Sequence, residues 1–236
     1  MRVLVGMSGY AYKEWKGGFY PPDLPADQML AYYTSRFSTV EINNTFYRLP
    51  KESVIVNWAA QAPEGFVFVL KASQRITHIG RLKDTEDAVG FFLKSASALG
   101  AKLGPTLFQL PPNFKKDLPR LQEFLKRIPP RWRAAFEFRH PTWFDEEVYD
   151  ALRARQAALV AAETDEGEAP PVVPTADWGY LRLRCAAYAR QDLERWAQRI
   201  REQPWKEAFV FFKHEDDGGE GPRMAAEFKE IVGLRG

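Results

Sequence analysis

Runs of β-branched, aromatic and other apolar residues recur eight times along the chain, at residues 3–8, 39–43, 66–72, 105–110, 134–139, 158–163, 179–184 and 209–213. Each has the length and composition of a strand. Between most of them the apolar positions fall three and four apart, as in Leu118, Leu121, Phe124 and Ile128, or Val89, Phe92, Ala96 and Leu99; this spacing predicts amphipathic helices. Thr85, Asp117 and Asp145 precede such segments and can accept their first backbone N–H groups, while Gly100 can take the left-handed turn that ends one.

Strand alternating with helix implies parallel strands joined by right-handed crossovers, and eight such units close into a barrel. The expected fold is therefore α/β, a TIM-type (β/α)8 barrel with a closed parallel sheet, in one domain over residues 1–236. An open doubly wound sheet is the rival, but no Gly-x-Gly-x-x-Gly or Gly-x-x-x-x-Gly-Lys-Ser/Thr loop follows any strand. Between the sixth and seventh runs, Pro170, Pro171 and Pro174 predict an irregular connection without a regular helix.

Hydrophobic residues make up 45% of the chain and charged ones 27%, proportions that supply a substantial core and exclude gross disorder. Lys plus Arg number 33 against 31 Asp plus Glu, so no global basic field draws nucleic acid and any anion preference has to be local. The one cysteine, Cys185, excludes an internal disulfide and gives no thiolate cluster for zinc or iron–sulfur, which fits a reducing cytoplasm. The N-terminal apolar run is short for a signal peptide, and no stretch reaches the roughly 20 apolar residues of a membrane span. A cytoplasmic protein with no membrane partner is expected.

In a barrel, alternate side chains of each strand fill the interior while the others pack under helices. Taking the more apolar set as helix-facing leaves Ser8, Thr39, Glu41, Asn43, Lys71, Gln109, Glu137, Arg139, Glu163, Arg182, Arg184 and Lys213 inside, mostly toward the C-terminal strand ends. That pole is where barrel enzymes keep their active sites, and polar groups converging there are not needed for packing. Three carboxylates, Glu41, Glu137 and Glu163, oppose five cations, Lys71, Arg139, Arg182, Arg184 and Lys213, so the mouth is expected to carry a positive excess and favour an anion. The plainer alternative is an ion-pair network that only caps the barrel.

His78, His140 and His214 follow the third, fifth and eighth runs and so share that rim, as candidate acids, bases or metal ligands. A divalent metal has little support, because no His-x-His pair or His-Glu-x-x-His helix is present, and no organic cofactor is called for. Tyr10, Tyr12, Trp15, Phe19, Tyr20, Phe46, Tyr47, Trp143 and Phe144 crowd the same loops. Such rings can stack on a sugar or base, but more often form loop cores, with Trp15 and Trp143 the expected anchors.

Several segments together resemble the YecE-like family of TIM-barrel proteins: Ser8-Gly9-Tyr10 with Trp15 and Phe19-Tyr20-Pro21; Thr39 through Tyr47; Lys71-Ala72 with Ile76-Thr77-His78; Phe108 through Pro112; and Glu137 through Pro141 with Trp143-Phe144. The resemblance spans nearly the whole chain and implies a β/α barrel, with no reaction attached. Where the family often has Arg-Leu-His-Gly after strand seven, this chain has Arg182-Leu183-Arg184-Cys185, and Lys213-His214-Glu215-Asp216 replaces an asparagine pair after strand eight.

The expected function is an enzyme, a hydrolase, lyase or isomerase without organic cofactor, that applies general acid–base chemistry to a small phosphorylated or carboxylated substrate. Glu137 is the first candidate acid or base, with Arg139 beside it and Glu41 as second carboxylate from a nearly opposite strand. Lys71 can stabilise an oxyanion or form a Schiff base; the charge role is preferred, since neighbouring carboxylates are expected to keep the ammonium protonated. His140 completes the catalytic candidates, and Ser8, Asn43, Tyr47, His78, Gln109, Arg139, Arg182 and Lys213 are the expected ligand contacts. Two alternatives stand beside this: a phosphate- or nucleic-acid-binding protein without turnover that clamps its ligand with Lys71, Arg139, Arg182 and Lys213, and a glycoside hydrolase with the Glu41 and Glu137 carboxyls roughly 5 to 10 Å apart.

Overall fold

The computed structural model describes residues 1–163, 165, 171–212 and 218–233. Eight strands, β1 (Arg2–Met7), β2 (Thr39–Ile42), β3 (Val67–Lys71), β4 (Leu103–Gln109), β5 (Ala134–Glu137), β6 (Ala158–Glu163), β7 (Trp178–Leu183) and β8 (Glu207–Phe212), pair in sequence order and close into a barrel. All the pairings are parallel, including β1 with β8. The helices α1 (Met29–Thr34), α2 (Glu52–Gln61), α3 (Glu86–Ala96), α4 (Leu118–Arg127), α5 (Glu146–Arg153), α6 (Arg190–Arg201) and α7 (Glu220–Gly233) lie between and after the strands. No helix joins β6 to β7 among the described residues, as Pro170, Pro171 and Pro174 predict.

Two apolar cores follow from the alternation of strand faces. Leu4, Val69, Leu107, Ala135, Val160, Tyr180, Phe209 and Phe211 fill the barrel, while Val5, Val40, Phe68, Phe108, Phe136, Leu181 and Val210 pack outward against the helices. The periodic residues of the helices meet that outer set: Val89, Phe92, Ala96 and Leu99, and Leu121, Phe124 and Ile128, are all buried. Gly6 allows β1 to lie close against β2, since a Cβ there would lie 2.1 Å from the Thr39 carbonyl oxygen.

Asp117 and Asp145 cap α4 and α5, accepting from the Arg120 and Glu147 backbone N–H groups, and Gly100 is left-handed at φ 57°. Thr85 departs from expectation. It stands before α3, but its side chain makes no capping bond and its hydroxyl is buried without a partner. No helix among the described residues is long and apolar enough to cross a membrane.

Candidate active site at the barrel mouth

Ser8 follows β1, Glu41 lies in β2, Glu137 ends β5 and Arg182 lies in β7, and alternation turns all four inward at the C-terminal pole. Glu41 and Glu137 are 0% exposed and Arg182 is 1% exposed. The Arg182 guanidinium bridges the two carboxylates: Nη2 donates to Glu41 Oε1 at 2.8 Å and Nη1 to Glu137 Oε2 at 2.7 Å. The rest of each carboxylate is also occupied. Ser8 Oγ (2.8 Å) and Asn43 Nδ2 (3.0 Å) donate to Glu41 Oε1, the Tyr180 hydroxyl donates to Glu41 Oε2 at 2.6 Å, and Arg139 Nε donates to Glu137 Oε1.

These bonds decide the protonation states. Burial by itself raises the Glu137 carboxyl, but Arg182 and Arg139 overcome it and hold the group at about 2. Burial opposes ionisation of Glu41 as well, and Arg182 with the Tyr180 and Ser8 hydroxyls keeps it below its ordinary value. Glu137, the expected acid or base, therefore has no proton to give near neutrality and little basicity. Arg182 also separates the two carboxylates where a glycosidase would need one of them protonated beside a sugar.

Lys71, at the end of β3, differs from the other cations. It is half-buried, its Nζ donates to Gln109 Oε1 at 2.7 Å, and it rests 4.3 Å above the Phe46 ring. Both partners are neutral. Burial and the nearby Arg182 bring its ammonium down to about 8, outweighing Glu137 and Glu41. The two carboxylates pull its pKa up, but by less than burial and Arg182 pull it down, so the ammonium titrates below its ordinary value and still holds its proton in most molecules at pH 7.

Arg184, just after β7, is half-buried, and its guanidinium hydrogen-bonds no group among the described residues. His78 lies in a π-helical turn, Arg75–Ile79, with its ring edge-on to Phe46 at 4.8 Å. Burial, then Lys71, Arg139 and Arg81, push its pKa down, so it is neutral near pH 7. Tyr47 is 74% exposed on the rim, its ring against Phe46.

Other candidates sit apart. His140 Nδ1 accepts from the Thr142 backbone N–H and lies 2.8 Å from the Thr142 hydroxyl, so this imidazole caps its own loop. Glu163, expected inside the mouth, points outward and accepts from the Tyr188 hydroxyl (2.7 Å) and from Trp196 Nε1 of α6 (2.8 Å). Strand β6 is apolar on both faces, Ala158 and Val160 inward and Leu159 and Ala161 outward, so its composition did not fix its phase. Lys213 and His214 lie outside the described residues. The described part of the mouth then holds two carboxylates, Glu41 and Glu137, against four cations, Lys71, Arg139, Arg182 and Arg184. Tyr180 is the site residue that sequence reasoning misses: it follows the inward phase of β7, but its bond to Glu41 has no signature in sequence, whereas Arg184 is one of the cations expected at the mouth.

The rim aromatics are mainly loop cores. Trp15 is fully buried among Tyr12, Phe19 and Tyr20. Trp143 stacks on Phe138 at 4.7 Å, and its Nε1 donates to the Phe114 carbonyl. A cleft of about 220 Å³ opens beside the mouth, lined by Tyr10, Tyr12, Asn43 and Trp58 among others. A larger one of about 650 Å³ lies on the flank by Tyr32, Arg36, Arg223 and Lys229 of α1 and α7, away from the polar cluster. We place the candidate site at the mouth, because the buried ionic groups converge there. Among the described residues no group of three or more His, Cys, Asp or Glu is placed to share a metal ion.

Residues 4–236 match the family described as "Protein of unknown function DUF72". The chain belongs to the DUF72 family. It is 36% identical over 113 residues to the UPF0759 protein YecE of Escherichia coli, a stretch that covers 48% of this chain and 42% of that relative, less than half of either. It is 24% identical to the UPF0759 protein YunF of Bacillus subtilis, over 98% of this chain and 95% of that one. Among solved structures, a DUF72 protein from Thermotoga maritima superposes with a TM-score of 0.85 at 27% identity, covering 99% of this chain and 100% of that one. The D-psicose 3-epimerase of Clostridium cellulolyticum shares only the fold, with a TM-score of 0.54 at 11% identity over 99% of this chain and 96% of that one. The YecE-like resemblance and the closed barrel with its irregular β6–β7 connection stand as read from sequence.

Proposed function

We propose that this DUF72 protein is an enzyme that binds a small phosphorylated or carboxylated metabolite at the barrel mouth and moves protons with Lys71. One observation carries the reading: Lys71 and Arg184 face the mouth without a carboxylate hydrogen-bonded to either among the described residues, while Glu41 and Glu137 are committed to Arg182 and Arg139. Half-buried cations of this kind attract an anion more strongly than solvated ones, because little water competes. An amine with a pKa of about 8 is unprotonated in roughly a tenth of molecules at pH 7, against fewer than one in a thousand for an ordinary lysine. Lys71 thus takes the acid–base role that sequence reasoning gave to Glu137. The two glutamates become positioning residues that hold Arg182 and Arg139.

Inorganic phosphate, tested against sodium chloride at equal ionic strength, is expected to raise the melting temperature of the parent protein. Arg184→Gln should weaken phosphate binding about tenfold or more, since one charge-assisted bond is lost. Equal stabilisation of parent and variant, or no advantage of phosphate over chloride, would remove the anion site.

A further inference from the structure

We propose that Lys71 acts as a nucleophile that forms an imine with an aldehyde or ketone carbonyl on an anionic substrate. The inference rests on the anion-binding reading above; it names the substrate class of that site and gives the Lys71 amine a bond to carbon in place of the proton-carrying role. Lys71 ends β3 and Arg184 follows β7, four strands apart in a closed ring of eight, so they face each other across the mouth. A metabolite whose phosphate or carboxylate pairs with Arg184 therefore extends its other end toward the Lys71 amine. That amine is held by Gln109 and the Phe46 ring, with no ion pair among the described residues to break before it reacts. Since Gln109 Oε1 accepts from Nζ, its amide N–H groups remain as donors for a substrate oxygen. The lowered pKa of Lys71, set by burial and Arg182, supplies free amine near neutrality.

The step balances without a further reactant. The neutral amine forms a C–N bond to the carbonyl carbon, and the carbonyl oxygen takes up a proton to become a hydroxyl. A second proton then carries that hydroxyl away as water while the C=N bond forms. The net exchange is ammonium plus carbonyl to protonated imine plus water. His78, whose ring lies against the same Phe46 that the Lys71 ammonium covers, is the candidate to accept the proton that the ammonium first loses.

The test uses the whole chain with pyridoxal 5′-phosphate and with glyoxylate as probes, reduction by borohydride at pH 7, and peptide mass mapping. Lys71 is expected to be labelled about tenfold or more above the exposed Lys94 with at least one probe, since its free-amine fraction is far larger. Inorganic phosphate should suppress that labelling, Arg184→Gln should reduce it, and Lys71→Arg should abolish it while keeping the charge. Labelling of Lys71 no greater than that of Lys94 with both probes overturns the inference on the parent protein alone, whatever the variants do. If phosphate stabilises the protein but Lys71 is not preferred, only the imine fails. If phosphate neither stabilises the protein nor suppresses labelling, the anion reading fails as well.

Discussion

Arg182→Met is expected to lower stability in urea denaturation by about 3–5 kcal/mol at pH 7, and by visibly less at pH 5. The loss arises from what the substitution leaves behind more than from what it removes. Glu41 and Glu137 are fully buried, and Arg182 bridges them with bonds of 2.8 and 2.7 Å. Without it, two buried carboxylates are left with Arg139, Lys71, Arg184 and neutral donors nearby, and burial is expected to raise their pKa values above those of the unfolded chain. A carboxyl raised on folding contributes stability that is fully present below its unfolded pKa and is lost as pH rises through the folded one. The variant should therefore gain stability on acidification from pH 7 to pH 5. An equal deficit at both pH values would mean that the carboxylates are not coupled through Arg182.

The parent protein should respond in the opposite sense, losing on the order of 3 kcal/mol as pH falls from 5 toward 2 through Glu137 alone. Its carboxyl lies at about 2 against an ordinary 4.5. Stability from such a depressed group is present above 4.5 and disappears as pH falls toward 2, and the lowered Glu41 adds in the same direction. Surface carboxylates contribute to acid unfolding too, so the comparison is with Glu137→Gln. That variant should be less stable than the parent at pH 7 and should converge on it by pH 2 to 3. Parallel curves for the two proteins would show that Glu137 carries no depressed pKa.

The barrel was legible because its signal is repeated. Eight apolar runs, helices with apolar positions three and four apart, and capping aspartates such as Asp117 and Asp145 all agree with one architecture. The inward phase of Ser8, Glu41, Glu137 and Arg182 was legible for the same reason: one polar residue among apolar neighbours marks the face. Where both faces of a strand are apolar, as in β6, that contrast vanishes, and the pattern puts Glu163 in the mouth although it lies under α6. Pairing was illegible. Counting charges does not say that one guanidinium takes both carboxylates, nor that Lys71 is left with Gln109 and Phe46. Those are contacts at the barrel mouth between residues 25 to 141 positions apart in the chain. On the proposed reading they exchange the roles of the same residues, with Glu137 as support and Lys71 as the titrating amine.

The most direct measurement is an NMR titration of the Lys71 ε-position in ¹³C-lysine-labelled protein, assigned by loss of its signal in Lys71→Arg. An amine committed to neutral partners beside Arg182 should titrate with a midpoint near 8. A midpoint at the ordinary 10.5 would mean that the carboxylates, rather than the arginines, govern the mouth.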